Sequence, residues 1–204
     1  MRYLVTTSAL GAVLALGACT AANDGRADSA ANAVEATADV TGARVENATE
    51  SAADAVTPTP SPQDFVNTAA KSDAFEIAAA KLAEKNAASA EVRSFAAQMI
   101  KAHTESTTKI KTAAGKASPA ITPDATLTAD QVDDLAELGQ LTRAKFDAEY
   151  IDGQVDAHES ALALMQGFAR GGADAGLKAV AGEIAPIVEG HLKMARDLDA
   201  KLDE

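Results

Sequence analysis

The chain has 204 residues, a quarter of them alanine, with five Phe, two Tyr, no Trp and a single Cys. Its 18 Lys and Arg against 30 Asp and Glu leave a net charge of −12, which excludes a nucleic-acid partner, because phosphate binding relies on clustered cations and strand binding on stacking aromatics. One Cys forms neither an intramolecular disulfide nor a Cys-rich zinc site, and the abundance of Ala favours helix over sheet.

Residues 1–18 read as a signal peptide. Met1-Arg2 makes a positive start, and Leu4 to Leu16 is an apolar run. A helix of that length reaches about 20 Å, short of the ~30 Å hydrocarbon core, so a secretory signal fits better than a transmembrane anchor. The run ends in Leu16-Gly17-Ala18-Cys19, which resembles a bacterial lipobox. That resemblance implies cleavage before Cys19 and a diacylglyceryl thioether on its sulfur, which accounts for the lone Cys. Each buried acyl CH₂ contributes about 0.8 kcal/mol, so two or three chains hold a protein on a membrane. Thr20 stands where an Asp would resemble an inner-membrane retention signal. The expected location is therefore the periplasmic face of the outer membrane.

Residues 19–61 form an acidic, Ala-rich tether without aromatics, Leu, Ile or Met. Such a segment buries too little apolar surface to offset its ordering entropy, and a mostly disordered stalk is expected. It carries a repeat of eleven, 27-ADSAANAVEAT, 38-ADVTGARVENA and 49-TESAADAVTPT, which aligns Val34, Val45 and Val56. Eleven residues make three helical turns, so the valines would form one narrow stripe on a marginal helix. Pro58, Pro60 and Pro62 end any such helix and mark the domain boundary.

Residues 62–204 read as four helices. Ser61-Pro62-Gln63-Asp64 opens the first, which runs to about Asn86 with Phe65, Ala69, Phe75, Ala79 and Leu82 as its apolar positions. Ser89 caps the second, whose stripe is Val92, Phe95, Met99, His103 and Ile110. Gly115, Pro119 and Pro123 lengthen the next connection. The third helix opens on the capping box Thr128-Ala129-Asp130-Gln131, with Gly139 as a candidate interruption, and carries Ile151, Val155, His158, Leu162 and Met165. Gly171-Gly172 closes it. Asp174 opens the fourth, with Val180, Ile184, Ile187, His191, Met194 and Leu198, and Pro186 should bend it. Short, long and short connections suit an antiparallel four-helix bundle, all α, with both short turns at one end.

Several residues together resemble a known family, the bacterial domain of unknown function 4142. They are Phe75-Glu76 with Ala79 and Ala80, Val92-Arg93-Ser94-Phe95-Ala96 with Met99 and His103, Phe146-Asp147 with Tyr150, His158, and Pro186 to His191-Leu192 with Ala195 and Leu198. The resemblance covers roughly residues 65–200. It implies a ferritin-like fold and a periplasmic or outer-membrane location, and it carries no established reaction. The family usually places Asp before its first two histidines; Ala102 and Ala157 stand there in this chain.

The three histidines lie on the inward stripes of three different helices. Counted from a shared end at 1.5 Å per residue, Glu76, His103, His158 and His191 fall about 18, 22, 21 and 28 Å deep. One polar layer inside the bundle is expected, and bundle cores do build metal sites from facing helices. His103, His158, His191 and Glu76 are the candidate ligands of a transition metal, imidazole suiting Zn, Cu, Fe or Ni. Ile100, Val155 and Val188 precede the histidines by three residues, so the Glu-x-x-His pairs of a di-iron centre are missing. The competing reading is a layer of packed histidines bonded to one another, to Glu76 or to Tyr150, fixing register in an Ala-rich core. Met99, Met165 and Met194 sit at core spacing and read as packing. No G-x-S-x-G, glycine-rich phosphate loop or H-E-x-x-H occurs, so no cofactor and no enzyme activity are expected. The favoured function is a lipid-anchored helical bundle with a structural or interaction role among envelope proteins, related to stress. The alternative is a transition-metal-binding module.

Overall fold

The computed structural model describes residues 59–203, so Cys19, the signal peptide and the repeat valines lie outside the described residues. The described residues are all helix and connection: α1 Pro62–Asn86, α2 Ala90–Ala114, α3 Ala129–Gln140, α4 Ala144–Gly171 and α5 Ala175–Leu202. None of these helices is long and apolar enough to cross a membrane.

Four helix starts follow from side-chain caps. Ser61 accepts from the Asp64 amide, Ser89 from those of Glu91 and Val92, and Asp174 from that of Leu177. Thr128 and Gln131 close a reciprocal capping box. Each satisfies amides that have no partner within the helix. The start of α4 differs. Arg143 has no side-chain cap bond and sits at φ 58°. Its amide donates instead to the Asn86 carbonyl at the end of α1, at 2.9 Å. This anchor splits the expected third helix into α3 and α4, two residues beyond Gly139. α5, by contrast, runs unbroken through Pro186.

Cross-helix contacts fix the directions. Phe65 at the start of α1 stacks on Phe168 near the end of α4, with ring centroids 3.9 Å apart. At the other end, both Asp147 carboxylate oxygens accept from the turn after α1, from the amides of Ala88 at 3.0 Å and Ser89 at 2.8 Å. Lys109 pairs with Glu183, and Lys201 with Glu91, so α2 and α5 are also antiparallel. The two short turns therefore lie at opposite ends of the bundle, not at one end as expected. The cause is the crossover between α2 and α4. It travels the length of α1, from the Lys71–Asp124 ion pair to the Asn86 side chain, which donates to the Gly139 carbonyl. Two helical hairpins joined by a single long crossover are the connectivity that ferritin-like bundles also use.

Two apolar clusters fill the bundle. The proximal one, where α1 begins, contains Phe65, Val66, Ile110, Met165, Phe168 and Leu177. A Cβ on Gly172 would fall 2.5 Å from the Phe168 ring, so only glycine lets the chain turn this close to the stack. The distal cluster combines Ala79, Ala80, Ala83 and Ala96 with Phe95, Phe146 and Tyr150. Leu135 and Leu138 of α3, which has no buried residue, rest against it from outside. The expected stripes need two phase corrections. Asp73 is buried on α1 where Phe75 was expected to point inward, and Ile187 on α5 is 45 % exposed beside buried Val188.

Candidate metal centre

Between the two clusters lies a buried polar layer: Asp73 and Glu76 from α1, His103 from α2, Gln154 and His158 from α4. His191 of α5, half-buried, completes it. The rings of His103, His158 and His191 stand with centroids 5.6 to 6.2 Å apart. His191 is thus level with the others rather than lower. Its helix runs back toward the distal end, and counted from Leu202 it lies about 17 Å down.

Hydrogen bonds settle which nitrogens are occupied. Nδ1 of His103 donates to Asp73 Oδ1 at 2.8 Å, and the other Asp73 oxygen accepts from the Thr107 hydroxyl at 2.9 Å. Nδ1 of His158 lies 2.8 Å from the Gln154 carbonyl. A carbonyl oxygen only accepts, so that nitrogen carries the proton and Nε2 is left with its lone pair. Nε2 of His103, Nε2 of His158 and Nδ1 of His191 are buried and have no hydrogen-bond partner among the described residues. One donor atom from each of these rings lies within 4.8 Å of the other two. A point equidistant from three atoms at that spacing lies about 2.8 Å from each, against about 2.0–2.1 Å for a metal–imidazole bond, so small ring movements close the gap.

Glu76 is placed in the layer but outside this group of three. Its Oε2 accepts a short hydrogen bond from the Gln154 amide, while its Oε1, the Gln154 Oε1 and the Tyr150 hydroxyl are buried without partners among the described residues. The histidines bond neither to Glu76 nor to Tyr150, nor to one another; Asp73 and a backbone carbonyl take that place. Asp73, Thr107 and Gln154 were missed in the sequence. The signal for Asp73 was available, since steps of four and three from Phe65 pass through Ala69, Asp73 and Glu76.

Burial sets the charges. It pushes His158 and His191 down to about 4, helped in both by the charge of His103 and opposed in His158 by the Gln154 carbonyl. For His103 burial also works against the charge, yet the Asp73 hydrogen bond and the nearby Glu76 and Asp73 charges outweigh it and hold the ring above its ordinary range. Burial raises the Glu76 carboxyl, with the Asp73 charge adding to it, against the lowering effects of His103 and Gln154. At neutral pH, His158 and His191 are therefore free bases, while Asp73 and Glu76 favour the charged form of His103. This set can exchange one proton for a metal ion.

Comparisons with known proteins bear on the fold. Two solved structures resemble this one. CopM in the Cu(I)-bound form has a TM-score of 0.57 at 16 % identity, covering 68 % of this chain and 94 % of that one. CopM in the Cu(II)-bound form has a TM-score of 0.61 at 16 % identity, covering 71 % and 99 %. At that identity the likeness is one of fold. No curated protein matches the sequence. Residues 46–198, well over half of the chain, match the family described as the domain of unknown function DUF4142, and the protein belongs to that family.

Proposed function

We propose that the bundle holds one transition-metal ion through His103 Nε2, His158 Nε2 and His191 Nδ1. The observation that carries this reading is the convergence of three imidazoles from three helices, each with one nitrogen within 4.8 Å of the others and each with a buried, unpartnered nitrogen. A layer built only for packing would satisfy those nitrogens, because a buried polar atom without a partner costs about 1–3 kcal/mol. Around the ligands, Asp73 and the Gln154 carbonyl orient two of the three rings, as outer partners do in metal sites generally. Three imidazoles with no carboxylate among them suit Cu, Zn, Ni or Fe. Copper is the first ion to test, since CopM, which shares the fold, was solved with Cu(I) and Cu(II). The role is retention of an ion, and no reaction is assigned to it.

The envelope setting belongs to the same proposal. With Cys19 lipidated, the module sits on the periplasmic face of the outer membrane, where ion holding would serve envelope stress tolerance and protein partners. Palmitate labelling that persists in Cys19→Ala would overturn the anchor.

Metal analysis of protein purified without chelator, followed by titration with copper and zinc, tests the site. One ion per chain is expected, lost in His158→Ala. Protein that takes up no stoichiometric metal from either titration would return the layer to a packing role.

A further inference from the structure

The histidine layer opens on a cavity of about 110 Å³ enclosed by all four long helices. His103 and His191 stand in its wall and His158 does not. The inner wall is mostly apolar, made by Ala69, Leu164, Met165, Ile184 and Val188, with the buried Asp73 carboxylate beside His103 as its polar part. Glu105, Lys109 and the exposed Ile187 lie on the solvent side. An ion held among three ring nitrogens does not fill this space. Three protein ligands also leave a tetrahedral ion one position short, the arrangement that metal sites use to admit an outside ligand. An apolar cavity of about 150 Å³ takes a benzene molecule, so this one has room for a ligand of about five heavy atoms.

We propose that the cavity is a ligand-binding pocket for a small monodentate nitrogen or sulfur donor. The donor atom completes the coordination of the ion, and a compact apolar body packs against Leu164, Ile184 and Val188. This inference rests on the metal-binding reading above, which supplies the ion. Its own content is that the fourth position points into the cavity between His103 and His191. Only a coordinate bond forms, so no electron or proton need be supplied from elsewhere. The enclosed volume sets the selectivity, admitting an azole-sized ligand and excluding a fused bicyclic one.

The test uses the copper-loaded protein, with bound copper measured before any ligand is added. Imidazole and benzimidazole serve as probes, and the Cu(II) electron paramagnetic resonance spectrum and visible absorption are followed through each titration. Imidazole should shift the spectrum saturably, with a fourth nitrogen in the hyperfine pattern and copper still on the protein after gel filtration. Benzimidazole should bind at least tenfold more weakly. Leu164→Phe, which fills the cavity, should keep the copper and weaken imidazole at least tenfold. Ile187→Trp, at an exposed position over the mouth, does the same without entering the core. If copper is bound but imidazole leaves the spectrum unmoved, the pocket is wrong and the metal site stands. Equal binding of the two probes, or no effect of either variant, also overturns it. A spectrum insensitive to imidazole but changed by Met165→Leu would mean that the thioether fills the fourth position, which equally ends the proposal. Protein that binds no copper also ends the pocket proposal, and protein that takes up neither copper nor zinc removes the metal reading as well.

Discussion

The proximal cluster and the polar layer occupy neighbouring stretches of the same four helices, yet they are built on opposite rules. In the cluster, Phe65 and Phe168 stack at 3.9 Å and the surrounding side chains are apolar. In the layer, five side-chain atoms of the described residues are buried without a hydrogen-bond partner, and the Tyr150 hydroxyl of the distal cluster is a sixth. Each such atom opposes folding, so the layer survives because apolar cores above and below it hold the helices in register. Stability and chemistry are thus separated along the bundle axis, and substitutions in the two regions should fail in different ways.

The largest expected effect lies in the cluster. Phe168→Ala should cost about 3–5 kcal/mol of stability, the usual loss for a fully buried aromatic, while metal stoichiometry at low temperature stays at one. His158→Ala should do the reverse: all metal is lost, and the metal-free protein is destabilised by only about 1–2 kcal/mol, because the change also removes an unpartnered nitrogen. Chemical denaturation beside metal analysis reads both. Equal destabilisation by the two variants would erase the distinction between the regions.

Within the layer, Asp73 tests whether the ligands are positioned or merely gathered. Asp73→Ala leaves His103 in place but removes the acceptor that fixes its Nδ1 proton and ring orientation. Metal affinity should fall about 10–100-fold, as for other outer partners of ligating histidines. Isothermal titration against an unchanged His103 would expose a smaller role if the loss is under threefold.

The pH dependence of binding is the next sharper test. His103 is held above its ordinary range by Asp73 and Glu76 against the effect of burial, whereas burial keeps His158 and His191 at about 4. Between pH 5 and 6.5, one proton must therefore leave, from His103, for each ion bound. Affinity should rise about tenfold per pH unit across that interval. A slope near three units of log affinity per pH unit would mean that all three rings start out protonated.

The helix starts and the histidine layer were legible in the sequence because each depends on local rules. Ser61, Ser89, Thr128 and Asp174 announce their helices by cap chemistry alone, and His103 and His158 fall on stripes of evident phase. The α3–α4 break was legible only as a candidate interruption at Gly139; its place depends on Arg143 reaching Asn86, a contact made only after the crossover has folded along α1. Chain direction was misread for the same reason, since the length of the crossover does not say where it goes. The depth of His158 survived that error because it lies midway along α4, equally far from both ends; His191, nearer one end of α5, did not. Asp73 was missed because the inward stripe of α1 was phased on Phe75, which puts Asp73 off the inward face.

The smallest expected effect separates the two sides of the layer itself. Glu76 and the pair His158 and His191 are displaced in opposite senses, so their contributions to stability run against each other with pH. The two rings have folded values near 4, below the ordinary 6.5, so the unfolded chain takes up protons first and stability is lost as pH falls from about 6.5 to 4. Glu76 is raised above 4.5 by burial, so its folded form holds a proton that the unfolded chain has released, and stability is lost as pH rises through the folded value. Glu76→Gln retains an acceptor for the Gln154 amide but does not titrate. In metal-free protein at pH 7.5 the variant should be more stable than the parent by about 1–2 kcal/mol, and the gain should vanish by pH 4. Its melting temperature should consequently drop more steeply on acidification than that of the parent, because the opposing contribution is gone. Parallel pH–melting curves for the two proteins would show that Glu76 bears no such strain, and that the histidine side alone makes the layer costly.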